Sequence, residues 1–434
     1  MLFNPVVVSV VVMSILCLLK LNVMIAMILA ALVAGMMSGL GVSATMGFLI
    51  SGMGGNSETA LSYILLGTLA VAINQTGLAA IMSKKISQIV SGRKVILLLL
   101  IAFITCFSQN LIPVHIAFIP ILIPPLLKLM NKLKLDRRAM ACALTFGLKT
   151  PYIVLPVGFG LIFQTIIKDQ INANGYTVTL GQVWRANWIL GIAMFVGLAI
   201  AIFFSYRKPR DYEDLPLKGF EETAEIPEKM EKKHWITLVA AALAFVVQLS
   251  TGSLPLGAIV ALGLMAAFRV IKWDGIDELL NGGVLIMGAI AFVMLVAAGY
   301  GNVIRETNAI PALVESVVAI IGTSKVAGAF IMLLVGLFVT MGIGSSFGTI
   351  PILAVIYCPL ALKLGFSPAS IVILIATAGA LGDAGSPASD STLGPTSGLN
   401  VDGQHQHIWD TCVPTFLHFN IPLFIAGMIG ALIF

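Results

Sequence analysis

The sequence predicts an all-α polytopic membrane protein made of two inverted-topology repeats. Each repeat has five transmembrane segments plus one re-entrant helical hairpin, with broken helices at the midplane. Three observations predict it. The chain is 59% hydrophobic and 10% charged, where soluble domains carry about 25% charge. Its apolar runs have the length of roughly 20 residues that crosses a bilayer. One strongly charged stretch, 206–234, with seven Lys/Arg and eight Asp/Glu, divides the chain near its middle, and short motifs recur in order on either side.

The formal charge of +5 does not point to nucleic acid, because the basic residues cluster at helix ends as membrane topology requires. The five cysteines stand singly in apolar runs, with no Cys-x-x-Cys and no metal spacing, so they read as small packing residues. No cofactor is expected beyond a coupling ion. Met1-Leu-Phe-Asn-Pro lacks the basic start of a signal peptide, so 5–20 reads as a retained first helix.

The first repeat, 1–205, places spans at 5–20, 22–41, 59–84, 137–168 and 187–205, with a hairpin over 95–127. The Gly/Ser-rich stretch 42–57 reads as an interfacial connector, and 169–185 as polar. Segment 137–168 carries breaks at Lys149-Thr150-Pro151 and at Pro156. After the cytoplasmic linker 206–234, the second repeat, 235–434, places spans at 235–251, 254–271, 279–304, 367–396 and 411–434. Its hairpin is 326–362, and its broken helix 367–396.

Three matches align the halves. Ile73-Asn-Gln-Thr76 recurs as Ile304-Arg-Glu-Thr307, offset by 231. Ser108-x-x-x-Ile112-Pro113 recurs as Ser346-x-x-x-Ile350-Pro351, offset by 238. Thr150-Pro151 with Gly158 recurs as Ser386-Pro387 with Gly394, offset by 236. Charge then orients each half. Nine Lys/Arg flank the first hairpin and only Lys325 and Lys363 flank the second, as expected if the first opens to the cytoplasm and the second outward. Both termini then lie outside. Treating the hairpin arms as full spans instead gives thirteen or more helices.

The chemistry concentrates in 376–396, where Asp383, Ser386, Pro387, Ser389, Asp390, Ser391 and Thr392 follow an apolar run at mid-membrane depth. Lipid offers no partner to a carboxylate or a freed backbone group, so such a segment must line a cavity or be covered by protein. Asp383 and Asp390 are the ion-coupling candidates, although either can also serve as a buried helix cap. The hairpin tips offer Ser108, Gln109 and Asn110 in one half, and Ser345, Ser346 and Thr349 in the other. Gly344 and Gly348 allow close backbone approach there, and Gly-x-x-x-Gly also serves plain helix packing. Lys149, with Thr150 beside it, is expected to place an ammonium where a cation would sit, paired with an aspartate of the other half. The alternative is a lysine reaching to an interface. His115, just past the first tip, faces the cavity or merely packs. Ser108, Asn110, Ser346 and Asp390 are the candidate Na⁺ ligands. His405 and His407, with Asp402 and Asp410, read as a solvated cytoplasmic loop. No nucleophile–base pair, phosphate-binding Gly-Lys motif or His-Glu-x-x-His appears, so no enzyme is predicted.

Gly385-Ser-Pro-Ala-Ser-Asp390-Ser-Thr392 resembles the broken-helix pattern Ser-Pro-x-Ser-Asp-Thr-Thr of the NhaC-type Na⁺/H⁺ antiporter-like family of the ion-transporter superfamily. Ser391 replaces the first threonine and keeps a hydroxyl. The resemblance covers most of the chain. It implies secondary transport, Na⁺ near the tips and breaks, and an elevator-like movement of the hairpin domain against a dimerising scaffold. The short form of the chain, with Lys149, looks more like that family's amino-acid permease branch. The expected function is therefore Na⁺- or H⁺-coupled transport of a small organic solute, such as an amino acid, across the cytoplasmic (inner) membrane. The alternatives are a Na⁺/H⁺ antiporter without organic cargo and a passive channel.

Overall fold

The computed structural model describes residues 3–90, 92–107, 119–157, 159–217, 230–251, 253–309, 311–312, 324–343 and 346–434, and the regular structure among them is helical. The tip candidates Ser108, Gln109, Asn110, His115 and Ser345 lie outside the described residues.

The first half contains α1 (Pro5–Leu18), α2 (Val23–Met37), α3 (Val42–Met53), α4 (Ser57–Gln75), α5 (Leu78–Val90) and α6 (Lys94–Phe107). The short α7 (Ile119–Leu122) and α8 (Leu127–Lys132) precede α9 (Arg137–Val154), α10 (Phe159–Ala173) and α11 (Leu180–Ile200). The second half contains α12 (Lys232–Thr251), α13 (Leu254–Ala267), α14 (Ile276–Glu306), α15 (Lys325–Ile343) and α16 (Ser346–Lys363). It ends with α17 (Pro368–Ala380), α18 (Asp390–Leu399) and α19 (His407–Ile433). Side-chain caps fix several of the starts. Asn4, Asn22, Asp136, Ser367 and Ser389 each accept a backbone N–H of the first turn they precede.

Five helical stretches among the described residues are long and apolar enough to cross a bilayer: Val42–Gln75, Leu180–Ser205, Trp273–Glu306, Lys325–Gly342 and His407–Ile433. The pair α9 and α10, bent by 44°, makes a sixth if it is one span. The chain is a multi-pass membrane protein. Its helices turn apolar faces outward as well as inward. On α11, Trp184, Trp188, Ile192 and Phe195 are exposed, while Val183, Leu190 and Met194 are buried.

Two groups of helices result. In one, α4 and α14 pack on each other, α2 and α3 lie against α14, and α13 lies against α4. In the other, α6 packs on α9 as α15 packs on α17, and α11 packs on α9 as α19 packs on α17. Crossed pairings join the halves: α10 meets α16, and α7 meets α18. The first motif match has a local counterpart too. Thr76 Oγ1 donates to Ile73 O and Thr307 Oγ1 to Ile304 O, both at 2.7 Å, and each is followed by a residue at positive φ, Gly77 and Asn308. Both are helix ends closed by a left-handed residue.

The structure corrects four sequence expectations. Stretch 42–57 is no connector; it is α3 and a short 3₁₀ turn running into α4. Gly52 serves packing there, since a Cβ on it would lie 2.3 Å from Asn302 Cβ. The span expected at 59–84 ends at Gln75, where Gly77 (φ 83°) turns the chain into α5. The polar stretch 169–185 is mostly the end of α10 and the start of α11, with a capping box between Thr179 and Gln182. Finally, α9 runs unbroken through Lys149-Thr150-Pro151 and stops at Leu155 (φ −94°, ψ 129°). Pro151 removes one helical hydrogen bond, to the Gly147 carbonyl, without ending the helix. Leu155 is held extended because Pro156 follows it.

Candidate ion and solute site

The link between α17 and α18, residues 381–389, leaves helical geometry inside the protein. Gly382 (φ 86°) and Gly385 (φ 110°) make the two turns, and a Cβ on Gly385 would lie 2.7 Å from Phe416 Cα. The link's freed carbonyls are taken up by side chains. Ser391 Oγ donates to Asp383 O at 2.8 Å and Thr392 Oγ1 to Ser386 O at 2.5 Å; just beyond the link, in the first turn of α18, Thr145 Oγ1 of α9 donates to Ser391 O at 2.9 Å. His407 Nε2 lies 2.9 Å from Pro387 O. Buried carbonyls left bare would each cost free energy, so these hydroxyls hold the break open as a defined shape.

Asp383 sits at the centre. Lys149 Nζ donates to its Oδ2 at 2.8 Å, Ser346 Oγ to the same oxygen at 2.5 Å, and Ser389 Oγ is 3.4 Å from Oδ1. Lys149 also lies 3.9 Å from Asp390 Oδ1 and 4.8 Å from the centroid of the Tyr152 ring. Lys149 and Asp383 are 6% and 5% exposed, whereas the Asp390 side chain is 22% exposed. One ammonium from the first half thus stands between two carboxylates of the second. Ser346 opens α16 and Asp390 opens α18, so two helix N-termini also reach the site.

Not every candidate joins this cluster. Ser391 and Thr392 spend their hydroxyls on carbonyls of the link, and Ser386 Oγ accepts from Ala388 N at 3.2 Å. Thr150 Oγ1 is buried without a hydrogen-bond partner among the described residues, and Thr349 is buried in the first turn of α16. Sequence reasoning missed Thr145 and Tyr152. They stand four residues before and three after Lys149, so the three share one face of α9, a helical spacing that was available to be read.

The loop 400–406 is only partly solvated: Gly403 and Gln406 are exposed, but Asp402 and His405, read from the sequence as solvated, are buried. Arg137 makes a two-pronged contact with Asp402, at 2.7 and 2.6 Å, and also donates to Leu399 O at 3.1 Å. Arg210 donates to Asp410 at 2.8 Å, and the Arg137 guanidinium stacks on the Tyr212 ring, 4.3 Å from its centroid. Burial raises the Asp402 carboxyl, but the Arg137 hydrogen bonds and charge outweigh it and hold it below its ordinary value. His405 is buried and His407 half-buried, and no group of three or more metal-ligating side chains occurs among the described residues.

A model of the Na⁺/H⁺ antiporter family matches residues 143–428, which include Lys149, Ser346, Asp383 and Asp390, and a second Na⁺/H⁺ antiporter family model matches residues 4–90. The chain belongs to the Na⁺/H⁺ antiporter family. It is 48% identical to the uncharacterized membrane protein VP2115 of Vibrio parahaemolyticus, over 99% of this chain and all of that one. It is 47% identical to a Bacillus subtilis protein named "Putative amino acid transporter YuiF", again over 99% and all of the two chains. Among solved structures, the Alcanivorax borkumensis YdaH transporter covers 90% of this chain and matches over 87% of its own, with 13% identity and a TM-score of 0.41, too low to bear on topology. This family member is a membrane transporter and not an enzyme. Its family-model match spans both halves of the ionic site, so the lysine and the aspartates stand within the region that defines the family.

Proposed function

We propose that the chain is a cation-coupled secondary active transporter that moves an amino acid or similar small organic solute across the cytoplasmic membrane by alternating access. The observation that carries this reading is the buried trio of Lys149, Asp383 and Asp390. With all three ionised the trio carries one net negative charge in a medium of low dielectric, a strong demand for one more cation. Asp383 is committed to Lys149 and Ser346, so Asp390, the more open carboxylate, takes the Na⁺ or the proton. An amino acid presents an ammonium and a carboxylate together. Asp390 suits the first, and the N-termini of α16 and α18 suit the second. The name carried by the Bacillus subtilis relative favours the same cargo. A second reading, Na⁺/H⁺ antiport without organic cargo, is favoured by the family models, and one net negative charge serves one Na⁺ or one H⁺ equally well.

The halves are two inverted repeats, each with a re-entrant hairpin. The matched packings of α6 on α9 and α15 on α17, and the shared ends at Thr76 and Thr307, support this. Movement of the site-bearing group against the group centred on α4 and α14, the latter forming a homodimer face, gives alternating access.

The test is uptake of a labelled amino-acid panel into proteoliposomes, with and without an inward Na⁺ or H⁺ gradient and with a pH-sensitive dye sealed inside. Accumulation of one amino acid, lost in Asp390→Asn, supports symport. Dye changes on adding Na⁺ without any uptake move the chain to antiport. Passive equilibration indifferent to either gradient overturns both readings.

A further inference from the structure

Behind the link lies a second line of polar groups that the ionic site does not use. His407 Nε2 is 2.9 Å from Pro387 O, and its Nδ1 is 2.8 Å from Thr396 Oγ1. Thr396 Oγ1 donates to Thr411 Oγ1 at 2.9 Å, and Thr411 Oγ1 is 2.7 Å from His405 Nε2. The far nitrogen, His405 Nδ1, is buried with no hydrogen-bond partner among the described residues, and His405 as a whole is 1% exposed. The line therefore runs unbroken from the 400–406 loop, at the end of the bundle where Arg137 meets Asp402, to Pro387 of the unwound segment that precedes Asp390.

Hydrogen bookkeeping along this line is restrictive. Pro387 O only accepts, so His407 Nε2 carries a hydrogen. If Thr396 donates to Thr411, and Thr411 to His405 Nε2, then His407 Nδ1 must donate to Thr396. His407 is then doubly protonated, and His405 carries its single hydrogen on Nδ1. The Thr396-to-Thr411 direction belongs to that first order; in the other order, reached when the Thr411 hydroxyl turns to donate to Thr396, His405 Nε2 donates to Thr411 and Thr396 to His407 Nδ1. His407 is then neutral and His405 Nδ1 is a bare lone pair. The two orders differ by one proton and by the direction of two hydroxyls. The Thr392 carbonyl, 2.9 Å from Thr396 Oγ1, is a competing acceptor that the Thr396 hydroxyl leaves when the line is complete.

We propose that His405, Thr411, Thr396 and His407 form a proton relay that charges His407 from the loop end of the bundle. A proton arriving at His405 Nδ1 bonds there, and the Nε2–H bond breaks toward Thr411. The Thr411 hydrogen passes to Thr396, and the Thr396 hydrogen passes to His407 Nδ1. One proton enters, one positive charge appears on His407, and both threonines end as neutral hydroxyls. The charges facing His405 are Asp410, Arg137, Arg210 and His407. Burial first, with the two arginines and His407, pushes His405 down to about 3 against the pull of Asp410. Cys412 Sγ, 3.5 Å from His407 Nε2, is the other polar neighbour at the receiving end. A charged His407 holds the Pro387 carbonyl and sets a positive charge against the segment that begins α18, in opposition to a cation at Asp390. The inference rests on the proton-coupled form of the function proposed above.

Thr411→Val keeps the shape of the side chain and breaks the relay, while Thr411→Ser keeps the hydroxyl. In proteoliposomes at fixed Na⁺, proton flux after a pH jump is compared with Na⁺/²²Na⁺ exchange, which needs no proton transfer. Thermal melting checks that each variant is folded. The expected result is that Thr411→Val slows pH-driven flux on the order of a hundredfold more than it slows exchange, the scale of a lost positioned proton carrier, and that Thr411→Ser restores most of the flux. Equal slowing of both modes, or of neither, overturns the relay and leaves a hydrogen-bonded brace. A wild-type dye signal that ignores the pH jump overturns proton coupling itself, and that failure shows in the wild type before any variant is made.

Discussion

Lys149 and Asp383 are each more than nine-tenths buried, so neither tolerates the loss of the other. Removing one partner of a buried ion pair leaves an uncompensated charge and costs about 3–5 kcal/mol. Lys149→Met is therefore expected to lower the melting temperature sharply, and Lys149→Met with Asp383→Asn to recover most of it, since both charges are then gone. A double variant melting no higher than the single one would mean that Lys149 is held by packing alone. Asp402 gives a pH prediction of definite sign. Its folded-state pKa is lowered from 3.8, so its pairing stabilises the protein above the unfolded value of about 3.9 and is lost as pH falls through the lower folded value. Wild type is expected to melt well above Asp402→Asn at pH 7, with the gap closing as pH drops below 3.8. Lys149 was legible in the sequence because an ammonium in an apolar run has few innocent explanations. Asp402 and His405 were not legible, because only the fold brings Arg137, 265 residues away, over that loop.

At the scale of the element, the link 381–389 depends on two left-handed glycines. Gly385→Ala would force a side chain into φ 110° and against Phe416, at about 1–3 kcal/mol for the backbone conformation alone. The expected outcome is a lower melting temperature together with impaired transport. Gly175→Ala, at φ 92° with nothing within 4 Å of its Cβ, has the backbone penalty without the clash. If the two variants matched in stability and transport, the close approach of Phe416 would have no role. The link was legible because Gly, Pro, Ser and Asp crowd into a stretch that should be apolar. The end of α9 was harder to place, since Thr150-Pro151 and Leu155-Pro156 carry the same local signal. Packing decided between them: Asn187 and Gln164, both fully buried, donate to Ile153 O at 3.0 and 3.2 Å and so cap the helix after Pro151. Small residues misled in α3, where Gly52 answers to Asn302 across a helix contact that no single segment reveals.

At the scale of the molecule, residues 206–217 of the linker after α11 lie along one end of the bundle, which fixes which loops share a side. Arg210 N donates to Lys134 O, Glu213 N to Gln404 Oε1, and Lys134 pairs with Asp211 at 2.8 Å. The basic stretch 128–138, residues 206–217 of the linker and loop 400–406 are therefore at one face, and the proposed orientation, argued from positive charge, makes that face the cytoplasmic one. The inversion proposed for the second half would put Lys325 and Lys363 on the opposite face. Both are exposed, and Lys325 is close to the turn at Gly365, with Nζ 3.8 Å from where a Cβ there would sit. In a variant with its five cysteines replaced, single cysteines at Asp211, Gln406 and Lys363 separate the possibilities. Lys363→Cys is expected to react with a membrane-impermeant thiol reagent added outside intact cells. Asp211→Cys and Gln406→Cys are expected to react only after the membrane is opened. If α15 and α16 crossed fully as a pair of spans, Lys325 and Lys363 would still share a side, so this labelling tests inversion and not re-entrance. Labelling of Lys363→Cys and Asp211→Cys from the same side would put both hairpins on one face, and the two halves would then be parallel copies without the opposed half-helices that a site open to each side in turn requires.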